Sequence, residues 1–326
     1  PLAVGPQTVR EAGKFGIPGV RFVRKQDDVG DARVVVCNYE SLHRLDIDAF
    51  VGVVLDESSI LKSYMGATKR ALISGFADTP YRLACTATPA PNDYLELGNH
   101  SEFLGVLNST LMIARWFITD QSAMGVFRLK GHARLHFWDW VATWSRCIGK
   151  PSDIGPYDDT AYNLPELVKT PHMVSVDITT DRGDGHLFRK VALSATDIHR
   201  EKRRSAPLRA AKVAELVMAE SDEPWLIWCE TNYEADALAA VLPTAIEVRG
   251  NTRTELKESR LLGFGDAGGY LVTKPKIAGF GLNWQHCARV AFVGGSYSYE
   301  AFYQAVRRCW RFGQKRPVHV HIVMGK

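Results

Sequence analysis

The chain has 326 residues, 46% hydrophobic and 23% charged, with a net charge of +4, a make-up that excludes the disordered, collagen-like and fibrous classes. Its length exceeds one domain of about 100 to 200 residues, so a pair of domains is expected. No apolar run approaches the roughly 20 residues of a membrane-spanning helix, the first residues carry no export signal, and the mild basicity permits a polyanionic partner without establishing one.

In chain order, TVREAGKF near the start predicts a short helix with no catalytic pattern. Three short apolar runs follow, Arg33 to Cys37, Val51 to Leu55 and Arg82 to Cys85. From about residue 100 to 150 the character changes, with Trp116, Phe117, Phe127, Phe137, Trp138, Trp140 and Trp144 interleaved with Arg115, Arg128, Lys130, His132 and Arg134. This segment predicts a helical elaboration whose aromatics either pack a core or, beside the cations, stack bases. Residues 151 to 166, PSDIGPYDDTAYNLPE, are rich in Pro, Gly and Asp and predict a loop or linker. The boundary is placed there, giving domains 1–160 and 161–326. Beyond it come the runs Trp225 to Cys229, Ala245 to Val248, Tyr270 to Thr273, Val290 to Gly294 and Val318 to Val323.

Runs rich in β-branched residues that alternate with helical segments are the pattern of βαβ units and parallel sheets. Because the runs are continuous, both sets are expected to be buried on two faces. The fold class is therefore α/β, two doubly wound lobes with mainly parallel sheets. The six cysteines form no C-x-x-C pair and suggest neither zinc nor disulfides. His319 and His321 share a strand face but lack a third ligand nearby, so ordinary strand residues are expected. Arg200, Lys202, Arg203, Arg204 and Arg209 form one basic group, and Arg307, Arg308, Arg311, Lys315 and Arg316 another. Each is either a polyanion contact or a solvated helix face.

Three segments carry chemistry. VGVVLDESS puts Asp56 and Glu57 directly after an apolar strand, where open α/β sheets bind ligands. One carboxylate there can hold hydrated Mg²⁺ while the next orients or deprotonates water, two separate needs of phosphoryl transfer. ACTATPAPND places Thr86 and Thr88 at another strand end, closed by two prolines. SYEAFYQAVRRCWRFGQ predicts a helix on which Gln304, Arg308 and Arg311 stand at i, i+4 and i+7, within about 60° of one face. Permanently charged guanidiniums suit a γ-phosphate and its transition-state charge.

Order and spacing add a resemblance. PLAVGPQTVREAGKFGI, VVVCNYESL, VVLDESS, LACTATPAPND, LIWCETNYEADAL, LVTKPKIAGFGLNW and QAVRRCWRFGQ resemble, in order, motifs Ia, Ib, Walker B, III, IV, V and VI of Swi/Snf-related superfamily-2 ATPases of the bacteriophage or bacterial type. The last, of the form Q-x-x-x-R-x-x-R-x-G-Q, is the most specific to that branch. The resemblance implies two RecA-like lobes, the first incomplete, that bind ATP and Mg²⁺ and move on nucleic acid. It further implies that Asp56 coordinates Mg²⁺, that Glu57 activates water, and that Arg308 and Arg311, with Gln304, approach the nucleotide. Gly279, Gly281, Leu282 and Asn283 would link the nucleotide cleft to the nucleic-acid path, with Tyr39, Ser41 and Thr88 as further strand contacts or coupling residues.

Two departures bear on that expectation. DESS stands where the family has DEAH, which displaces any role of its histidine. The Walker A loop, G-x-x-x-x-G-K-[ST], occurs nowhere in the sequence, so a chain truncated before motif Ia is expected, inactive as it stands. The expected function is ATP-dependent translocation on double-stranded DNA in a bacterial or phage-infected cytoplasm. Strand separation on DNA or RNA is the close alternative, and nucleic-acid binding without ATPase activity is the alternative of another class.

Overall fold

The computed structural model describes residues 4–62, 66–119, 126–175, 195–278, 281–295 and 298–326. Its contacts divide the chain into two units, Ile17–Gly149 and Lys150–Lys326, with the residues up to Gly16 grouped with the latter. In chain order the elements are α1 (Val4–Lys14), β1 (Val20–Phe22), β2 (Val34–Val36), β3 (Gly52–Asp56), α2 (Ala67–Gly75), β4 (Tyr81–Cys85), α3 (Glu96–Phe103), α4 (Ser109–Trp116), β5 (Phe117–Thr119), β6 (Phe127–Leu129) and α5 (Arg134–Trp144). They continue with β7 (Leu167–Val174), α6 (Ala195–Ala219), β8 (Trp225–Trp228), α7 (Asn232–Val241), β9 (Ile246–Glu247), α8 (Thr254–Ala267), β10 (Tyr270–Thr273), α9 (Pro275–Ala278), β11 (Arg289–Phe292), α10 (Tyr299–Val306) and β12 (Val318–Gly325). Among the described residues no helix is long and apolar enough to cross a membrane.

The Lys150–Lys326 unit is built on a six-stranded sheet in the order β7-β12-β11-β8-β10-β9, parallel throughout. Alternate residues of its strands enter two cores. Leu226, Trp228, Leu271, Val290, Phe292, Val318 and Val320 pack on one face with Leu261, Phe264 and Trp284. Trp225, Ile227, Val272, Ala291, Val293 and Val323 pack on the other with Ala210, Val213 and Val217 of α6 and Ala235 and Leu238 of α7. Burial on both faces is what a continuous apolar run permits. The strand β7 was not expected, because LVKTPHMV alternates in burial and contains Pro171. A proline is tolerated there because β7 is an edge.

The Ile17–Gly149 unit departs from the expected doubly wound sheet. Its described parallel strands form two separate pairs, β1 with β2 and β3 with β4, and β5 with β6 is an antiparallel hairpin. The expectation of burial on two faces fails here. Leu55 is buried against Leu61, Leu72, Phe76 and Phe103, but Val54, Leu83 and Tyr81 on the opposite face are 63%, 53% and 74% exposed. The physical reason is that no described layer covers that face. The helical elaboration is present as α3, α4 and α5 around the hairpin, with Met112, Trp116, Phe117, Phe137 and Val141 at its centre.

The linker segment contains neither α-helix nor strand between Lys150 and Glu166. It is organised by Asp159, whose carboxylate accepts from Ser152 N at 2.9 Å and Ser152 Oγ at 2.6 Å and pairs with Lys150 at 2.7 Å.

Candidate functional site

Asp56 ends β3 and Glu57 begins the turn that follows. Glu57 is the one non-glycine residue with positive φ among the described residues, at 52°, a left-handed conformation that is unfavourable for a residue with a Cβ and is held by its surroundings. Its amide donates to Asp56 Oδ1 at 3.0 Å, and its carbonyl accepts from Ile60 N at 3.2 Å. The next residue, Ser58, is fully buried and hydrogen-bonds to His100 Nε2 at 3.1 Å. His100, on α3, belongs to none of the sequence motifs.

The hydroxyl of Tyr39 donates to the Asp56 carbonyl at 2.8 Å, so it braces the acidic strand end. Burial, with the Asp56 and Glu57 charges, pushes its pKa well above the usual phenol value. Ser41 lies in the same short turn, Tyr39–Arg44, with its amide on Asn38 O at 2.9 Å. Thr88 is 7% exposed, its hydroxyl is buried without a partner, and its amide is capped by Thr86 Oγ1 at 3.0 Å. Cys85 pairs in register with Asp56, and burial followed by the Asp56 charge raises its thiol pKa.

The arginine segment corrects an expectation. The helix capped by Ser298, which accepts from Ala301 N, ends at Val306, and Arg308 and Arg311 lie in the turn beyond it. Of the three, only Gln304 therefore lies on the helix. The turn is set by Gly313, with φ of 88°, and by the buried Gln314, whose amide donates to Cys287 O at 3.1 Å and Cys309 O at 3.3 Å. These polar ties replace the backbone ladder that would have continued the helix.

The guanidiniums converge in another way. Arg308 donates to Leu282 O at 3.2 Å, to Gln304 O at 3.0 Å and to Gln304 Oε1 at 3.2 Å, and Arg311 donates to Leu282 O at 3.4 Å. Arg308 and Gln304 are buried, and the Leu282 side chain lies in the core. Arg311 is half-buried; burial lowers its pKa and Glu11 of α1 opposes that shift. Asn283 donates to Glu11 Oε1 at 2.9 Å. At Gly281, with φ of 72°, an added Cβ would collide with the Val4 side chain, so only glycine admits α1 so closely. Gly279 lies outside the described residues.

Neither basic group is simply a solvated face. Arg209 and Glu234 form a fully buried pair at 2.8 Å, Lys202 reaches Glu230 at 3.0 Å, Arg203 lies over Tyr233, and Arg316 bridges to Glu223 at 2.8 Å. Arg307 stacks on Tyr303 and Trp310. In the aromatic segment Trp140 stacks on Trp116 at 4.5 Å, inside the core, whereas Trp138 is 37% exposed and meets Tyr94 edge-on. Among the described residues no group of three or more His, Cys, Asp or Glu could hold a metal.

No family model matches the chain, and no curated protein matches it. Among solved structures, the C-terminal part of the Fun30 ATPase domain aligns at 21% identity over 36% of this chain and 41% of that one. The TM-score is 0.33, short of a shared fold.

Proposed function

We propose that the protein is an ATP-dependent motor of the superfamily-2 type that moves on nucleic acid, with double-stranded DNA as its track. The observation that carries this reading is Glu57, forced into the left-handed region directly after Asp56 at the end of a parallel strand. Strain of that kind is stored where a side chain must be aimed. In this role Asp56 would hold Mg²⁺, which in nucleotide sites takes one or two carboxylates together with phosphates and waters. An exposed aspartate at a strand end fits that donor set. Glu57 would accept a proton from the attacking water, and Arg311 would offset phosphate charge while Arg308 holds the Leu282 backbone. ATP with Mg²⁺ supplies the phosphoryl group whose transfer to water drives the movement. The sequence contains no G-x-x-x-x-G-K-[ST] loop, so no phosphate cradle is assigned to these residues.

Phosphate release by the full-length protein, with and without duplex DNA, tests the reading. Turnover is expected to rise with DNA, and Glu57→Gln is expected to lower it about 100-fold with nucleotide affinity nearly unchanged. Turnover indifferent to both DNA and RNA, or to Glu57→Gln, would sink it. A second reading is a nucleic-acid-binding protein without ATPase activity. DNA binding with no phosphate release under any condition would establish that one instead.

A further inference from the structure

We propose that His100 is a positioning residue for Glu57, acting through Ser58 to hold the turn after β3; this rests on the reading of Glu57 as the base. His100 Nδ1 lies 3.3 Å from the carbonyl of Glu96, and a carbonyl only accepts, so Nδ1 carries the proton. The other ring nitrogen, Nε2, meets the Ser58 hydroxyl at 3.1 Å, the donor and acceptor of that bond being set by the ring tautomer. Burial lowers the His100 pKa, and the backbone carbonyls of Glu96 and Ser58 oppose that shift. Ser58 is 0% and His100 4% exposed, so water does not offer either group a substitute.

The helix that carries His100 grips the turn at a second point. The neighbouring Asn99 donates to Leu61 O at 2.7 Å, and Leu61 belongs to the same turn, Ser58–Lys62. At the start of α3, Glu96 is itself tied down, accepting from Asn92 Nδ2 at 2.7 Å. Ser58 is thus fixed to a braced helix from one side, while β3 is fixed by its register with β4 on the other. Glu57 lies between the two anchors. A non-glycine residue stays left-handed only where its neighbours over-determine it. With the Ser58 anchor gone, Glu57 is expected to relax toward the right-handed region and carry its carboxylate away from its working position.

Three substitutions separate this role from simple packing. His100→Gln puts an amide able to bond Ser58 near the place of Nε2, His100→Leu keeps bulk without a polar group, and Ser58→Ala, the mildest change, removes the hydroxyl. In the full-length protein, His100→Leu and Ser58→Ala are each expected to lower kcat for ATP at least about tenfold with KM within about threefold. The double variant should be no worse than the worse single one, because both remove one bond, and His100→Gln should stay within about threefold of wild type. Independently of turnover, amide hydrogen exchange in the segment 55–62 should accelerate about tenfold in His100→Leu and Ser58→Ala and stay slow in His100→Gln. Wild-type exchange and turnover in His100→Leu, additive losses in the double variant, or equal damage by Gln and Leu would each overturn the proposal. A wild-type protein without ATPase activity would overturn the motor reading alone, and the exchange rates would still decide whether His100 holds the turn.

Discussion

Strands β8, β10 and β11 bury all twelve of their residues wholly or partly, eleven of them apolar or threonine, between two layers of helices. Strands β3 and β4, written in the same apolar, β-branched vocabulary, bury alternate residues and leave Val54, Leu83 and Tyr81 open. A continuous apolar run therefore reports the capacity for burial on two faces, and the second layer decides whether that capacity is used. The difference also sorts the chemistry. Asp56 is exposed in the same row as Val54 on the open strand, whereas Arg308 is sealed beside the doubly covered sheet.

The largest expected effect lies in the covered sheet. Trp228→Ala empties a side chain that is 1% exposed between Trp284 and Phe292, and should destabilise the protein by about 3–5 kcal/mol in urea unfolding. A loss below about 1 kcal/mol would mean that the face is not packed as described.

A smaller effect is expected from acid at the edge of the same sheet. His321 and His172 meet at 3.0 Å across β12 and β7. Burial, then the neighbouring His172, depress His321 from 6.5 to about 4. The folded state therefore resists a proton that the unfolded chain accepts. Stability is fully present above the ordinary value of 6.5 and falls as pH drops toward about 4. Unfolding midpoints measured across that window should show the loss, and His321→Gln should flatten it. An unchanged slope in the variant would place the acid sensitivity elsewhere.

The smallest effect belongs to the open strands. Leu83→Ser changes a residue that is 53% exposed, and should alter stability by no more than about 0.5 kcal/mol. A cost above about 2 kcal/mol would show that another layer covers this face and would dissolve the contrast between the regions.

How far the sequence could be read follows the same physics. The runs Trp225 to Cys229 and Tyr270 to Thr273 foretell β8 and β10 almost residue for residue, because two-face burial leaves a continuous apolar record. The strand β7 left no such record, since an edge strand with one wet face alternates and tolerates a proline. Asp56 and Glu57 were legible from the strand end they follow, but the left-handed φ of Glu57 has no local signature, and the contact of its neighbour Ser58 with His100 spans 42 positions. The helix expected through Arg308 and Arg311 stops at Val306 for a comparable reason. Periodicity shows where a helix is allowed, and the tie from Gln314 to Cys287 and Cys309 that ends it is a tertiary contact. The basic groups looked available for a polyanion because their acidic partners, such as Glu234 and Glu223, lie at distant positions.

Pro171 has a consequence beyond its own strand. Val318 N bonds to Glu166 O and Lys326 N to Val174 O, so the even-numbered carbonyls of this stretch face β12. The odd-numbered backbone, including Pro171, faces outward. An edge strand is ordinarily a template on which a stray chain can add itself and begin an aggregate. Here the outward row lacks a donor near its middle, and the side of the sheet that ends in β7 is poorly suited to recruiting another strand from a neighbouring molecule.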